Sequence, residues 1–362
     1  MASRVHGRSS RGHERRGSGR RALLGALAAF AGLISATSVA TPGPSSAQTG
    51  DPGWLQVVNA YRTSTGLPPV VEDPSRSTGV AKHAVYLAMT GSLTHGESPA
   101  SPFYSPEGAA SAGKSVLGGW RGSIRSDRDL IDGWMTAPFH ALHFLEPRLH
   151  SVAFAASRGL PGAVLDTAAV LDVVSGIGSR VVADRAITFP AAGSTTPLTT
   201  FVTEIPNPLT ACPGYSAPAG LPLIAMFTSP PGAVTTSVLL DGQPVEHCVV
   251  DAGYTNADAG AQATGRAVLA QKNAVFLIPH APLQSGRTYT ARVVSAAAGT
   301  AEWAFTVQAE GGALPTETTP PVQLVPASLA LQPATKTTKT TKTTKTTKTT
   351  KTTKTTKTTM RP

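Results

Sequence analysis

The sequence has no uninterrupted apolar run of 18 residues, so it contains no segment that reads as a permanent transmembrane helix. It has only two cysteines, Cys212 and Cys248, and no Cys-x-x-Cys pair, which excludes a cysteine-rich metal centre. Charged residues are scarce at 14%, while hydrophobic residues reach 41%; the chain can therefore build apolar cores and is not disordered throughout. Common catalytic signatures are missing as well: no Gly-x-Ser-x-Gly elbow, no phosphate loop, no Gly-x-Gly-x-x-Gly and no His-Glu-x-x-His.

The 362 residues carry a formal charge of +10. That charge lies at the ends. Residues 1–47 contribute +6 and residues 335–362 contribute +9, which leaves −5 for residues 48–334. A basic nucleic-acid-binding domain is excluded on this distribution, because the charge that would neutralise phosphates lies outside the foldable part.

Residues 1–47 read as a secretory signal peptide. A basic stretch ends at Arg20-Arg21, an apolar segment of about 13 residues runs from Ala22 to Ile34, and small residues close at Ser45-Ser46-Ala47. The arginine pair leaves both the twin-arginine and the general export route open. In an exported protein Cys212 and Cys248 are expected to pair, stabilising by about 3–4 kcal/mol. Residues 309–362 read as a Pro-rich linker followed by a Lys-Thr-Thr repeat, a low-complexity, disordered tail without a core. Such a cationic arm would dock on an anionic wall polymer, or it is a repeat without a partner.

Between the ends the pattern predicts two domains, at 48–190 and 205–308, with a boundary near 191–208. The first mixes helix and strand. Trp54, Val57, Val58 and Tyr61 recur at helical spacing until Gly66. Pro74 opens a second helix whose face is Val80, Ala84, Leu87 and Ala88, stopped by Gly91. Residues 92–126 read as a long loop, a third helix starts at Asp127, and Pro138 opens a fourth carrying His140 and His143. Strands are expected at 151–156 and 163–174. The second domain shows β-rich runs at 223–227, 236–240, 275–278, 288–294 and 303–307, with a hairpin signal at Asp241-Gly242, and is expected to be a β-sandwich.

The chemistry-bearing residues of the first domain are His83, His95, His140, His143, Glu97 and Glu107. A histidine pair with a carboxylate can hold Zn²⁺ or share a proton. His150 reads as structural. Glu246 and His247 are neighbours in a strand and point to opposite faces.

Several of these stretches together resemble a family. Trp54-Leu-Gln-Val-Val-Asn-Ala-Tyr-Arg62 is similar to the first helix of the CAP superfamily, the cysteine-rich secretory, antigen 5 and pathogenesis-related proteins. Ala81–Ala88 followed by Leu93-Thr-His95 resembles its second helix and first site histidine. Ile131-Asp-Gly-Trp134-Met-Thr-Ala-Pro-Phe-His140 resembles the bacterial SCP-like Trp-x-x-Ser-Pro-x-His signature, with Ala137 at the serine position. Leu145–Leu149 and Val152-Ala-Phe154 resemble the loop and strand that follow.

The resemblance covers roughly residues 52–175. It implies an α+β fold: a three-layer α/β/α sandwich around a central antiparallel sheet, with an open cleft. The β-rich domain resembles the immunoglobulin-like modules that follow such domains in bacterial exported proteins. His95 and His140 match the two cleft histidines of the family, and Trp134 is placed at the same cleft. The Gly-Glu-Asn glutamate is missing, since Gly113-Lys-Ser115 stands there, and the second glutamate has no match. Glu97 and Glu107 are the candidates to replace them. With Lys114 nearby, His95 and His140 are expected to bind zinc weakly or not at all, and no cofactor is called for.

Three functions follow. The first is a secreted, non-catalytic binder of lipid or cell-surface ligands, as the resemblance implies. The second is a wall-associated structural or adhesive protein. The third is a metal-dependent hydrolase using His95 and His140. The sequence leans away from an enzyme.

Overall fold

A computed structural model describes residues 53–179 and 184–309. The expected signal peptide, the Lys-Thr-Thr tail and nearly all of the linker lie outside the described residues.

The first helix, α1 (Trp54–Ser64), buries Val57 and Val58. Strand β1 (Val71–Glu72) leads through a 3₁₀ turn at Pro74–Arg76 into α2 (Ser77–Thr90), which Gly91 ends at φ 70°. A left-handed residue there is the usual glycine helix stop. The stretch 92–126 is not a bare loop. It contains α3 (Pro106–Ala112), capped by Ser105, and β2 (Ser115–Trp120). Glycines weaken the strand signal of β2. Yet a Cβ on Gly118 would meet the Trp120 ring at 2.4 Å, so that ring needs the glycine.

Helix α4 (Asp127–Thr136) starts one residue after its cap: Ser126 and Asp129 form a capping box. Helix α5 (Pro138–Phe144) follows at once, with proline at its first position. Strands β3 (Ser151–Arg158) and β4 (Thr167–Asp172) complete a sheet in the order β1-β3-β4-β2. The sheet is mixed rather than wholly antiparallel, because β1 runs parallel to β3.

Residues alternate across the strands and sort into two cores. Leu117, Ala153, Ala168 and Val170 pack with Val80, Ala84 and Leu87 of α2. Val116, Val152, Ala169 and Leu171 pack with α1, α4 and α5 through Val57, Leu130, Ile131 and Trp134. This is helix, sheet, helix in three layers.

The C-terminal region is β-rich. Its strands are β5 (Ile187–Phe189), β6 (Thr195–Thr196), β7 (Thr200–Phe201), β8 (Ala219–Gly220), β9 (Leu223–Met226), β10 (Val234–Leu240), β11 (Gln243–Pro244) and β12 (His247–Val250). After helix α6 (Ala259–Lys272) come β13 (Ala274–Pro279), β14 (Thr288–Ser295) and β15 (Gly299–Val307). One sheet is ordered β11-β10-β14-β15-β6, a second β12-β13-β9-β5, and β7 pairs with β8.

Asp241 and Gly242 form the two-residue hairpin between β10 and β11, both with positive φ, the geometry that Asp-Gly favours. Cys212 and Cys248 form a disulfide. Helix α6 is an addition to the expected all-β pattern.

The described residues belong to one compact unit, and the α/β and β-rich regions are joined within it. Phe139 of α5 stacks edge-on against Tyr254 and Phe276, at 5.6 and 5.3 Å. Lys272 at the end of α6 pairs with Glu146 just after α5, both buried. No helix among the described residues is long and apolar enough to cross a membrane.

Candidate functional site

His95 follows the end of α2, and His140 lies in the first turn of α5. Each ring is fixed from behind. His95 Nδ1 lies 3.2 Å from the carbonyl of Ala112, the last residue of α3. A carbonyl only accepts, so this nitrogen carries the proton. His140 Nδ1 lies 2.8 Å from the Glu204 carboxylate, which also accepts the backbone N–H groups of Phe139 (3.2 Å) and His140 (3.3 Å). Glu204 is buried, and loss of water raises its pKa; the His140 ring and these N–H donors act against that rise.

Both Nδ1 positions are therefore spent. Neither Nε2 has a hydrogen-bond partner among the described residues. A carbonyl or carboxylate on one nitrogen that leaves the other outward is how proteins orient a histidine for a ligand.

The flank of His95 that faces the protein is poorly hydrated, which lowers its pKa, and His140 and His83 lower it further. His143, one turn along α5 from His140, is held down to about 3. Burial is the main cause, with the Lys272 ammonium next. Its Nδ1 is buried without a hydrogen-bond partner among the described residues.

The predicted carboxylates are engaged with other partners. Glu97 is buried and fully used: Oε1 meets His83 Nδ1 at 2.9 Å, and Oε2 accepts the Ser105 N–H at 2.8 Å. It ties α2 to the cap of α3. Glu107 forms an exposed pair with Lys82 at 3.0 Å. Trp134 lies in the core rather than along a cleft, its Nε1 donating to the Leu117 carbonyl at 2.9 Å. Lys114 is exposed. His247 is held by Thr236 and the Val245 carbonyl, within the β-rich region.

The sequence reading missed Glu204. It lies 64 residues beyond His140, in a stretch read as a boundary, and no local pattern marks it; only the fold brings it to α5.

The described residues do not bring together the donors of a three- or four-ligand metal centre. Two imidazole nitrogens are free, while Glu97, Glu107 and Glu204 are each committed to other partners. Among the described residues no group of three or more His, Cys, Asp or Glu is placed to hold a metal ion.

Large apolar side chains are exposed close in sequence to His95 and to Glu204, the partner of His140. Leu93, two residues before His95, is 51% exposed. Val202 and Ile205, which flank Glu204 in sequence, are 61% and 87% exposed.

Residues 55–169 match the family model of the cysteine-rich secretory protein family, CAP. The match covers less than half of the chain and supports a CAP-superfamily α/β region containing both histidines. No curated protein matches the chain. Among solved structures, CopC from Methylosinus trichosporium OB3b shares 14% identity over 35% of this chain and 94% of its own, at a TM-score of 0.19. PcoC, a copper resistance protein from Escherichia coli, shares 16% over 33% of this chain and 95% of its own, also at 0.19. Likenesses this slight carry nothing further about fold or function.

Proposed function

We propose that the protein is an exported, non-catalytic binder of amphipathic lipid-like ligands at the cleft of a CAP-type domain, with His95 and His140 contacting the polar head. The observation that carries this reading is the pair of fixed rings, each with Nε2 free and no uncommitted carboxylate beside it. A hydrolase would need such a carboxylate as base. Leu93, Val202 and Ile205, exposed and close in sequence to His95 and Glu204, supply apolar surface, which suits a ligand with an apolar body and a polar end. The disulfide suits an oxidising compartment outside the cytoplasm. The β-rich region is read as an immunoglobulin-like module, and the Lys-Thr-Thr arm as an anionic-wall contact.

The test is titration of the full chain with a sterol and with a long-chain fatty acid, followed by intrinsic tryptophan fluorescence. Saturable binding that the His95→Ala/His140→Ala double variant loses supports the reading. No binding to either lipid, or binding indifferent to both histidines, overturns it. Zn²⁺ calorimetry on the same two proteins tests the alternative: micromolar zinc binding lost in the variant would return the hydrolase to consideration.

A further inference from the structure

A cavity of about 380 Å³ opens between the two halves of the molecule, lined by neither His95 nor His140. That size lies within the range of about 300–1,000 Å³ typical of small-ligand sites. Its walls come from the segment after α5, from β5, from the end of β9 and from the C-terminal end of α6. They include three cationic side chains, Arg148, Arg185 and Lys272, and one carboxylate, Glu146. Met226 and Phe227 provide an apolar wall.

The charges do not balance. Glu146 alone serves both Lys272, whose Nζ it accepts, and Arg148, whose Nε lies at 2.7 Å and Nη2 at 3.3 Å. Arg185 is exposed and has no ion pair among the described residues. A fourth cation, Arg62, is buried close by. Its guanidinium donates only to backbone carbonyls, among them that of Glu146 at 3.0 Å, and these bring no formal charge. Among the described residues one anion, Glu146, thus stands with four cations, although residues 48–334 together carry a net charge of −5. The positive excess is local to this cavity. Burial lowers the pKa of Arg62 to about 10 and also lowers that of Lys272, while Glu146 acts to raise both.

We propose that this cavity binds a small organic oxyanion, a phosphate monoester or carboxylate with a compact apolar body. Arg185 and the outer face of Arg148 receive the head, and Met226 and Phe227 receive the body. Guanidinium groups suit the role because their forked donors match the oxygens of phosphate and carboxylate. The site is separate from the histidine pair, and the proposal does not rest on the lipid reading.

The experiment is calorimetric titration of the full chain with phenyl phosphate, benzoate, inorganic phosphate and benzyl alcohol. Arg185→Ala, Arg148→Ala and His95→Ala/His140→Ala serve as the variants. Arg185→Ala removes an exposed side chain and leaves the Glu146–Lys272 pair intact, so its fold is checked by an unchanged melting temperature. The expected result is saturable binding of phenyl phosphate or benzoate that weakens with added salt. It should weaken at least tenfold in each arginine variant and stay unchanged in the histidine variant. Preference for phenyl phosphate assigns a phosphate head, and preference for benzoate a carboxylate head. The proposal is overturned by no saturable binding of either aromatic anion, by affinities that neither arginine variant changes, or by equal binding of benzyl alcohol. Inorganic phosphate binding as tightly as phenyl phosphate overturns it too, since the apolar wall would then contribute nothing. Loss of binding in the histidine variant would move the ligand to the other site.

Discussion

At the scale of single residues, the least comfortable side chain is His143. It feels the charges of Lys272, His140 and His95, and its buried Nδ1 has no hydrogen-bond partner among the described residues. Burial and the neighbouring cation hold its folded pKa near 3, against about 6.5 for an unfolded histidine. The sign follows from linkage. Below pH 6.5 the unfolded chain takes up a proton that the folded chain refuses, so stability falls as pH falls, by up to about 1.4 kcal/mol per pH unit. His95, lowered in the same direction, adds to that loss. Glu204, raised by burial, opposes it. Both remain in a His143→Leu variant, so the difference between variant and parent isolates His143. Urea unfolding at pH 7 and pH 5 should show a shallower pH dependence for His143→Leu, with stability at pH 7 equal or higher. A variant with the parent's slope would show that His143 is protonated without cost in the folded state. The neighbouring His140 illustrates what sequence can tell at this scale. Its position in Trp-x-x-x-Pro-x-His marked it, but its partner Glu204 came from a region without any local signal.

Among elements, those with strong endings and firm periodicity were legible. α1, α2, α4 and α5 appear where apolar residues recur at helical spacing between Gly66, Pro74, Gly91, Asp127 and Pro138. The five β-runs of the C-terminal region correspond to β9, β10, β13, β14 and β15. Elements built from small residues were not legible. Helix α6 reads Ala-Gly-Ala-Gln-Ala-Thr-Gly-Arg and only then Ala-Val-Leu, which gives no apolar stripe. Its buried face is Gly265, Leu269 and Lys272, a glycine and a lysine among three residues. For α3 a usable signal did exist: Ser105 followed by Pro106 is a cap and a first-turn proline. The glycine-rich surroundings obscured it.

Gly265 itself explains why α6 dispenses with bulk. A Cβ there would lie 2.5 and 2.6 Å from two atoms of the Tyr254 ring and 3.2 Å from Phe139. The helix therefore packs its backbone against the aromatic cluster that joins the two halves. Gly265→Val should destabilise by about 1–3 kcal/mol through overpacking, although valine is otherwise a better helix residue than glycine. Chemical denaturation checks this; a variant as stable as the parent would mean that Tyr254 moves aside freely.

For the whole molecule, the question is whether the α/β and β-rich halves behave as one body. Two contacts argue that they do. One is the Phe139–Tyr254–Phe276 cluster. The other is the Lys272–Glu146 pair, buried on both sides and backed by Arg62. A buried pair adds little net stability when complete, but losing one partner leaves a charge without compensation and costs about 3–5 kcal/mol. Glu146→Gln does this to Lys272. Because Glu146 belongs to the α/β half and Lys272 to the β-rich half, the cost should be felt on both sides. Hydrogen exchange on β4 and on β13 should therefore report the same opening free energy in the parent, and both should fall together in Glu146→Gln. Adding Lys272→Met removes the orphaned ammonium and should recover part of the loss. If exchange quickens in only one half, the two halves unfold independently and the buried pair merely decorates their contact. A shared fall would make the cavity beside this pair a property of the joined body, with its excess positive charge held in place by the cooperative structure around it.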